Sequence, residues 1–259
     1  MSITVEEAAK RLNLRGPFPQ DKYIKHMLSA FGRHGEKFMT AVDSWLESGC
    51  DPSGADLLYS TLAKHPSMAD YVTRHQYSTI YQIAGSTLTA WGQLQERSVV
   101  DVGCGFGHFT SLLARLHPTS KLIGFDKPKV VAAARKLNAC PQVPNLEFKT
   151  ANQLPAEATQ VALMICVTHE AFSSVMVPGK QPAASELEFA GKICELMEQD
   201  GLLVTINRFP QPIWQLPALD ELFASFQLYP CDVGLPASIE VPEGDRISLL
   251  PARAYRFKH

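Results

Sequence analysis

Charged residues are scarce in this 259-residue sequence, and neither sign is in excess. They make up 19% of the chain, with 24 Lys and Arg against 26 Asp and Glu, for a formal net charge of −2. A protein that binds the phosphates of a nucleic acid needs a basic surface. The composition therefore disfavours a nucleic-acid partner.

Metal-binding cysteine pairs and membrane-spanning runs are also missing. The six cysteines form no C-x-x-C pair and have no His at ligand spacing, so we expect no metal site. No window approaches the ~20 apolar residues of a membrane span, and the N-terminus has no apolar signal core. Dispersed thiols suit a reducing compartment. We expect a cytoplasmic protein without a membrane partner.

The sequence pattern changes near residue 90. Residues 1–90 carry apolar residues at helical spacing and no strand-like run of Val and Ile, which predicts a helical segment. From Arg97 onward, short apolar runs alternate with helical patterns, which favours a mostly parallel sheet covered by helices. The predicted strands of this part are 98–102, 122–125, 146–148, 161–167 and 202–206. The predicted helices are 107–116, 130–137 and 185–198.

The C-terminal part has extended candidates at 226–233 and 247–257 without a long helix between them. Parallel neighbours need a crossover, so this pair is predicted to be antiparallel. The expected fold class is α/β: a doubly wound, mostly parallel seven-stranded sheet with a C-terminal antiparallel hairpin and an N-terminal helical segment. The expected domains are 1–90 and 91–259.

The sharpest motif is VVDVGCGFG at 99–107, a buried-strand pattern that runs into a glycine-rich turn and then a helix. Such a turn lies where open sheets bind nucleotides. A dinucleotide fingerprint requires G-x-G-x-x-G, but His108 stands at the third glycine position. Asp101 would repel a pyrophosphate and attract an ammonium group.

This motif resembles the first motif of the class I (Rossmann-like) S-adenosylmethionine-dependent methyltransferase family. The resemblance implies that S-adenosyl-L-methionine is the cofactor. It also implies that Gly103, Gly105 and Gly107 give the cofactor room, while Asp101 lies close to its methionine portion.

The segment LIGFD at 122–126 matches the family's second motif. The resemblance implies that Asp126, with Lys127 beside it, lies at the ribose. A carboxylate can accept two hydrogen bonds from a vicinal diol, so the chemistry of Asp126 fits this role.

Two further segments resemble the family in part. KTANQLP at 149–155 has Thr150 where the family often has Asp, which leaves Ala151 and Asn152 as candidates for adenine contacts. LMICVTHEAF at 163–172 corresponds to the motif where the active site begins. There Val167 is expected to line the cofactor.

The same segment supplies candidates for the substrate side. His169 is either a general base for the attacking group or a histidine that shapes the pocket, and both interpretations stay open. Thr168 and Glu170 are substrate candidates, as is Arg208 after the fifth predicted strand. Solvent exposure is the alternative for Glu170 and a surface loop for Arg208.

Polar aromatic residues precede the first strand, from Tyr71 to Tyr81. The resemblance implies that such a segment can close over the cofactor as a lid, with Tyr77 or Arg74 reaching the cofactor's carboxylate. An amphipathic helix with tyrosines at its boundary is the alternative.

The predicted function is transfer of a methyl group to an O, N or C atom of a small molecule. No Asp/Asn-Pro-Pro-aromatic tetrapeptide follows the fourth predicted strand, which argues against enzymes that methylate amino groups of bases in nucleic acid. Two alternatives remain: an enzyme that modifies S-adenosylmethionine, and a non-catalytic regulatory protein that binds it. A homodimer is one candidate assembly.

Overall fold

The structure is a computed structural model. It describes residues 20–48, 52–76, 97–138, 143–151, 161–167, 172, 174–175, 179–206, 216–235, 238–243 and 246–258. Among these residues, no helix is long and apolar enough to cross a bilayer.

Four helices form the helical segment, which we define as residues 20–76. They are α1 (Gln20–Phe31), α2 (Arg33–Glu47), α3 (Pro52–Lys64) and α4 (Pro66–Gln76). Pro52 and Pro66 each stand at the first position of a helix, where proline's missing N–H costs nothing. The part of residues 1–90 that the structure describes is therefore helical, as the apolar spacing predicts.

Strands and helices then alternate. The strands are β1 (Ser98–Val102), β2 (Lys121–Asp126), β3 (Leu146–Thr150), β4 (Val161–Val167) and β5 (Met197–Ile206). The helices are α5 (His108–Leu116), α6 (Pro128–Leu137), α7 (Ala184–Leu196) and α8 (Leu216–Ala224). Three more strands complete the described elements: β6 (Leu228–Pro230), β7 (Ser238–Glu243) and β8 (Arg246–Phe257).

One sheet runs through the molecule in the order β3-β2-β1-β4-β5-β8-β6, and β7 pairs with β8 off this path. The first five strands of that order are parallel, and β8 is antiparallel to β5 and to β6. The predicted α/β fold with a parallel sheet is confirmed. The predicted count of seven strands is wrong, because β7 adds an eighth strand.

Helices cover the sheet on both faces. Val100 and Val102 on β1 pack into a core with Ile193 of α7 and Phe223 of α8. Asp101, whose side chain points to the opposite face, contacts α5 instead. The strand order reverses between β1 and β4, so the carboxyl ends of these strands border the crevice where open sheets bind ligands.

The helical segment packs directly onto this α/β core. Its apolar cluster, with Met27, Phe38 and Met68 among its most buried members, also contains Phe106 of the glycine-rich turn and Val130 of α6. Apolar burial of this kind is the main force that holds such elements together. The helices therefore lie beside the turn that follows β1.

Three local expectations differ from the structure. The predicted helix 185–198 ends at Leu196, and β5 begins at once with Met197. Helix α8 lies in a stretch to which the sequence pattern assigns no element. Strand β7 lies between the two predicted C-terminal strands, where no strand is predicted, and it pairs with β8. The predicted antiparallel pairing of the two C-terminal strands is present between β6 and β8.

Candidate cofactor site at the carboxyl edge of the sheet

The glycine turn, residues 103–107, connects β1 to α5. Its three glycines all have positive φ, which non-glycine residues rarely adopt. The turn is anchored to the neighbouring strand, since the N–H groups of Gly103 and Cys104 both donate to the Phe125 carbonyl, at 2.9 and 3.1 Å. Helix α5 begins directly after the turn, so its N-terminal N–H groups lie beside it.

Two of these glycines have different surroundings. A Cβ on Gly107 would lie 2.3 Å from Cζ of Phe148, so no side chain fits there. Among the described residues, a Cβ on Gly105 would meet only Cε1 of Tyr59, at an ordinary 3.7 Å. Gly107 is thus required by packing within the protein, whereas the residues that the structure describes leave space over Gly105.

Asp101 lies beneath the turn and is 2% exposed. Its Oδ2 accepts a 2.6 Å hydrogen bond from the Thr110 hydroxyl on α5. Burial raises the pKa of Asp101 to about 7; the Thr110 hydrogen bond opposes this shift and the nearby Asp126 carboxylate adds to it. The carboxyl braces α5 against β1, and its contact with the cofactor's methionine portion stays a prediction.

Asp126 ends β2 and is partly exposed. Its Oδ2 accepts the N–H of Gly105 at 2.8 Å, and its Oδ1 accepts the N–H of Lys127 at 2.7 Å. Burial raises the pKa of Asp126 to about 6, although both hydrogen bonds favour the ionised form. The structure thus brings the two predicted motifs into direct contact.

The Lys127 side chain points toward the helical segment. Its ammonium group forms an ion pair with Asp56 on α3, and both side chains are more than half exposed. This contact ties the residue after the predicted ribose site to the helices.

The ends of β3 and β4 lie along the same edge. Thr150 is the parallel partner of Asp126 in the ladder between β2 and β3, and Ala151 follows it as an exposed residue. Val167 ends β4 opposite Ile206 of β5. Asp126, Thr150 and Ala151 are therefore neighbours, and Val167 lies further along the same edge of the sheet, with β1 between β2 and β4.

A polar cluster links the helical segment to the turn. Asp70 on α4 accepts a hydrogen bond from Nε of Arg74 at 2.7 Å, and its same oxygen, Oδ1, lies 2.9 Å from Nε2 of His108. Burial alone would raise the pKa of Asp70, but the hydrogen bonds with His108 and Arg74 lower it to about 2. Burial lowers the pKa of His108.

Of this cluster, the sequence predicts only Arg74 as a site residue. His108 is the residue that breaks the dinucleotide fingerprint, and no motif indicates Asp70. The available signal is that a histidine at the start of a buried helix needs a polar partner. Sequence spacing does not reveal that this partner lies 38 positions earlier.

Six predicted site residues fall outside the described residues: Tyr77, Asn152, Thr168, His169, Glu170 and Arg208. They stay predictions.

A parallel sheet that carries a glycine turn after β1 and an acid at the end of β2 defines a nucleotide- or nucleoside-binding α/β domain. The family follows from comparison with known proteins. A family model described as "Methyltransferase domain" matches residues 94–227, slightly more than half of the chain. The protein belongs to this family of methyltransferase domains, and its predicted recognition as a class I S-adenosylmethionine-dependent methyltransferase is confirmed.

Individual relatives agree with this assignment. The phenazine O-methyltransferase PhzM of Lysobacter antibioticus is 32% identical over 78 residues, which are 30% of this chain and 23% of that protein. The match thus spans about a quarter of the length of that curated relative.

Two solved structures share the fold. The pyocyanin biosynthetic protein PhzM superimposes with a TM-score of 0.59 at 15% identity, over 91% of this chain and 73% of that one. The O-methyltransferase NcsB1 from neocarzinostatin biosynthesis, in complex with S-adenosyl-L-homocysteine and 1,4-dihydroxy-2-naphthoic acid, gives 0.52 at 14%, over 83% and 61%. At these identities the likeness concerns the fold alone.

Proposed function

We propose that this protein is an S-adenosylmethionine-dependent methyltransferase that transfers the methyl group to an O, N or C atom of a small molecule. The observation that carries the proposal is the 2.8 Å hydrogen bond from the Gly105 N–H to Asp126. This hydrogen bond joins two parts of the site. One is the glycine turn, over which the described residues leave space, and the other is the Asp126 carboxylate, which can accept hydrogen bonds from a ribose. Membership of the methyltransferase family supports the same conclusion.

The charges at the turn favour a cationic nucleoside over a dinucleotide. The nearby Asp126 carboxylate raises the pKa of Asp101, so further negative charge beside this pair is unfavourable. A pyrophosphate would add two negative charges beside them, whereas S-adenosylmethionine brings a sulfonium and an ammonium group. Coulomb attraction therefore supports the sulfonium nucleoside.

The residues at this edge fit that cofactor. Each Asp126 oxygen accepts one backbone N–H and keeps a second lone pair for a ribose hydroxyl. Nη1 of Arg74 is buried and has no hydrogen-bond partner among the described residues, so it suits the cofactor's carboxylate. Thr150, Ala151, Asn152 and Val167 are proposed to border the adenine.

The bound cofactor would supply a methyl group already activated by the sulfonium charge. The protein's part is to align the acceptor with that methyl group and to exclude water, which can account for much of the rate. His169 is proposed as the base or orienting residue, with Thr168, Glu170 and Arg208 on the substrate. Hydroxylated aromatic compounds are the first acceptors to test, because the relatives named above include a phenazine O-methyltransferase.

The architecture proposed for this activity is a doubly wound core over residues 91–259, with residues 1–90 as a lid or specificity element. The ion pair between Asp56 and Lys127 and the burial of Phe106 against the helices support that role. A cytoplasmic location, the absence of a nucleic-acid or membrane partner, and a homodimer complete the proposal.

Calorimetry with S-adenosylmethionine, S-adenosylhomocysteine and NAD tests the cofactor. We expect micromolar binding of the first two and none of NAD; binding of NAD alone would refute the proposal. Mass analysis of products from methyl-labelled cofactor and a panel of phenols, amines and carbon acids then tests the reaction. If the label stays on intact cofactor throughout, the result would favour a non-catalytic regulatory protein. A chemically modified cofactor would favour an enzyme that modifies S-adenosylmethionine.

A further inference from the structure

We propose that Asp70 is a positioning residue that couples helix α4 to the glycine turn and thereby sets cofactor affinity. It would act through His108 and Arg74 without touching the cofactor itself. This inference rests on the proposed function for its binding readout, and on the folded protein alone for its second readout.

The geometry gives Asp70 control over two elements. Its Oδ1 lies between Nε of Arg74, one helical turn along α4, and Nε2 of His108, the first residue of α5. His108 directly follows Gly107, so its ring connects the Asp70 carboxylate to the end of the turn. The hydrogen bond therefore joins the helical segment to the backbone next to the peptide that would face the cofactor.

The charge of Asp70 determines which group donates in its hydrogen bond with His108. Asp70 stays ionised at any ordinary pH, since hydrogen bonds with His108 and Arg74 hold its pKa at about 2 against the opposing effect of burial. An ionised carboxylate only accepts, so Nε2 of His108 must carry the hydrogen. The ring is 2% exposed and cannot turn to water for another acceptor.

The same carboxylate orients Arg74. Nε of Arg74 is taken by Asp70, while Nη1 is buried without a hydrogen-bond partner among the residues described. A guanidinium group fixed at one nitrogen presents the others in a set direction. Removing Asp70 would free both the guanidinium and the imidazole, and both would have to find new partners.

The chain offers a matched control in Asp220. This carboxylate also accepts from an arginine and a second side chain, namely Arg253 and the hydroxyl of Tyr255. It is similarly part-buried, at 20% side-chain exposure against 31% for Asp70, and it belongs to the core between α8 and β8. Its loss should cost stability without reaching the turn.

The test compares Asp70→Ala with Asp220→Ala in the full chain. We expect both variants to melt at lower temperature, but only Asp70→Ala to weaken S-adenosylhomocysteine binding in calorimetry, by about tenfold or more. Asp70→Asn, which keeps the shape but not the charge, should fall between Asp70→Ala and the wild type. In a variant that already carries His108→Leu and Arg74→Met, whose side chains cannot donate to the carboxylate, Asp70→Ala should change affinity by less than about twofold.

Hydrogen exchange of the unliganded protein gives the second readout. Asp70→Ala should speed exchange of the amides at 103–108, and Asp220→Ala should not. If the two variants melt alike and neither alters affinity or exchange at the turn, Asp70 has only a structural role and the inference fails. If the wild type binds no cofactor, the proposed function fails, while the exchange data still decide the role of Asp70. Should Asp70→Ala not fold, Asp70→Asn carries both measurements.

Discussion

Oδ2 of Asp126 accepts the backbone N–H of Gly105 at 2.8 Å, although 21 positions separate the two residues. The bond closes the glycine turn onto the end of the next strand, so the carboxylate and the open space over Gly105 belong to one site.

Asp126→Ala should weaken S-adenosylhomocysteine binding by about ten- to a hundredfold, because hydrogen bonds to a charged acceptor are the strong ones. Isothermal calorimetry measures the change. Asp232→Ala is the matched control, since Asp232 also accepts a glycine N–H, from Gly234, and lies on an exposed loop. Unchanged affinity in Asp126→Ala would remove Asp126 from the ribose site.

Gly107→Ala should destabilise the protein by about 2–5 kcal/mol, through left-handed strain and a clash with Phe148. Gly234→Ala has nearly the same φ, +74° against +77°, and open space around it, so about 1–2 kcal/mol is expected. Denaturant unfolding of both variants separates strain from clash. Equal losses would show that Phe148 yields without cost.

Gly105→Ala should behave differently again. Its φ of +54° carries the strain, but among the described residues the added methyl group meets only Tyr59, at contact distance, so the variant should fold about as well as Gly234→Ala. The methyl group would project into the proposed cofactor space, so binding should fall by about tenfold or more, by analogy with overpacked cores. Calorimetry that finds wild-type affinity would mean that the cofactor does not lie over Gly105.

Cofactor binding should strengthen as the pH rises from about 5 to 8. Burial raises the pKa of Asp101 to about 7 and that of Asp126 to about 6, so both gain charge across this range and a cation binds their ionised forms better. The unliganded fold responds in the opposite direction. Because the folded-state pKa values lie above the unfolded ones, ionisation lowers the free energy of unfolding as the pH rises.

Asp101→Asn isolates this effect. The amide oxygen can still accept from Thr110, but it carries no charge, so the variant should melt at higher temperature than the wild type at pH 8 and bind the cofactor more weakly there. Calorimetry at three pH values together with thermal melts provides the comparison. A wild-type affinity that stays flat with pH would contradict the carboxylate model of the site.

The local sequence pattern was enough to predict the strands and the turn that form the carboxyl edge of the sheet. Strands 98–102 and 161–167 lie where the apolar runs predict them, and the turn after β1 follows from its glycines. These elements depend on neighbours in sequence, so spacing carries the information. Helix α8 and strand β7 depend instead on the surfaces they cover, which no local pattern states.

The polar contacts also differ in whether the sequence predicts them. Asp126 could be named because its distance from the turn is fixed by one strand and one helix. The pairing of Asp70 with His108 joins separate parts of the chain and is set by how four helices pack, so the sequence gives no spacing for it. Side-chain contacts between packed helices therefore could not be predicted from the sequence.

The shared apolar cluster has a consequence for how the chain is made. The helices of residues 20–76 are synthesised before Phe106, Val130 and Ala133, which cover part of their apolar side. Until about residue 133 has emerged, that part of the apolar surface lacks its partners. We therefore expect fragments truncated before α6 to be more prone to aggregate than the full chain.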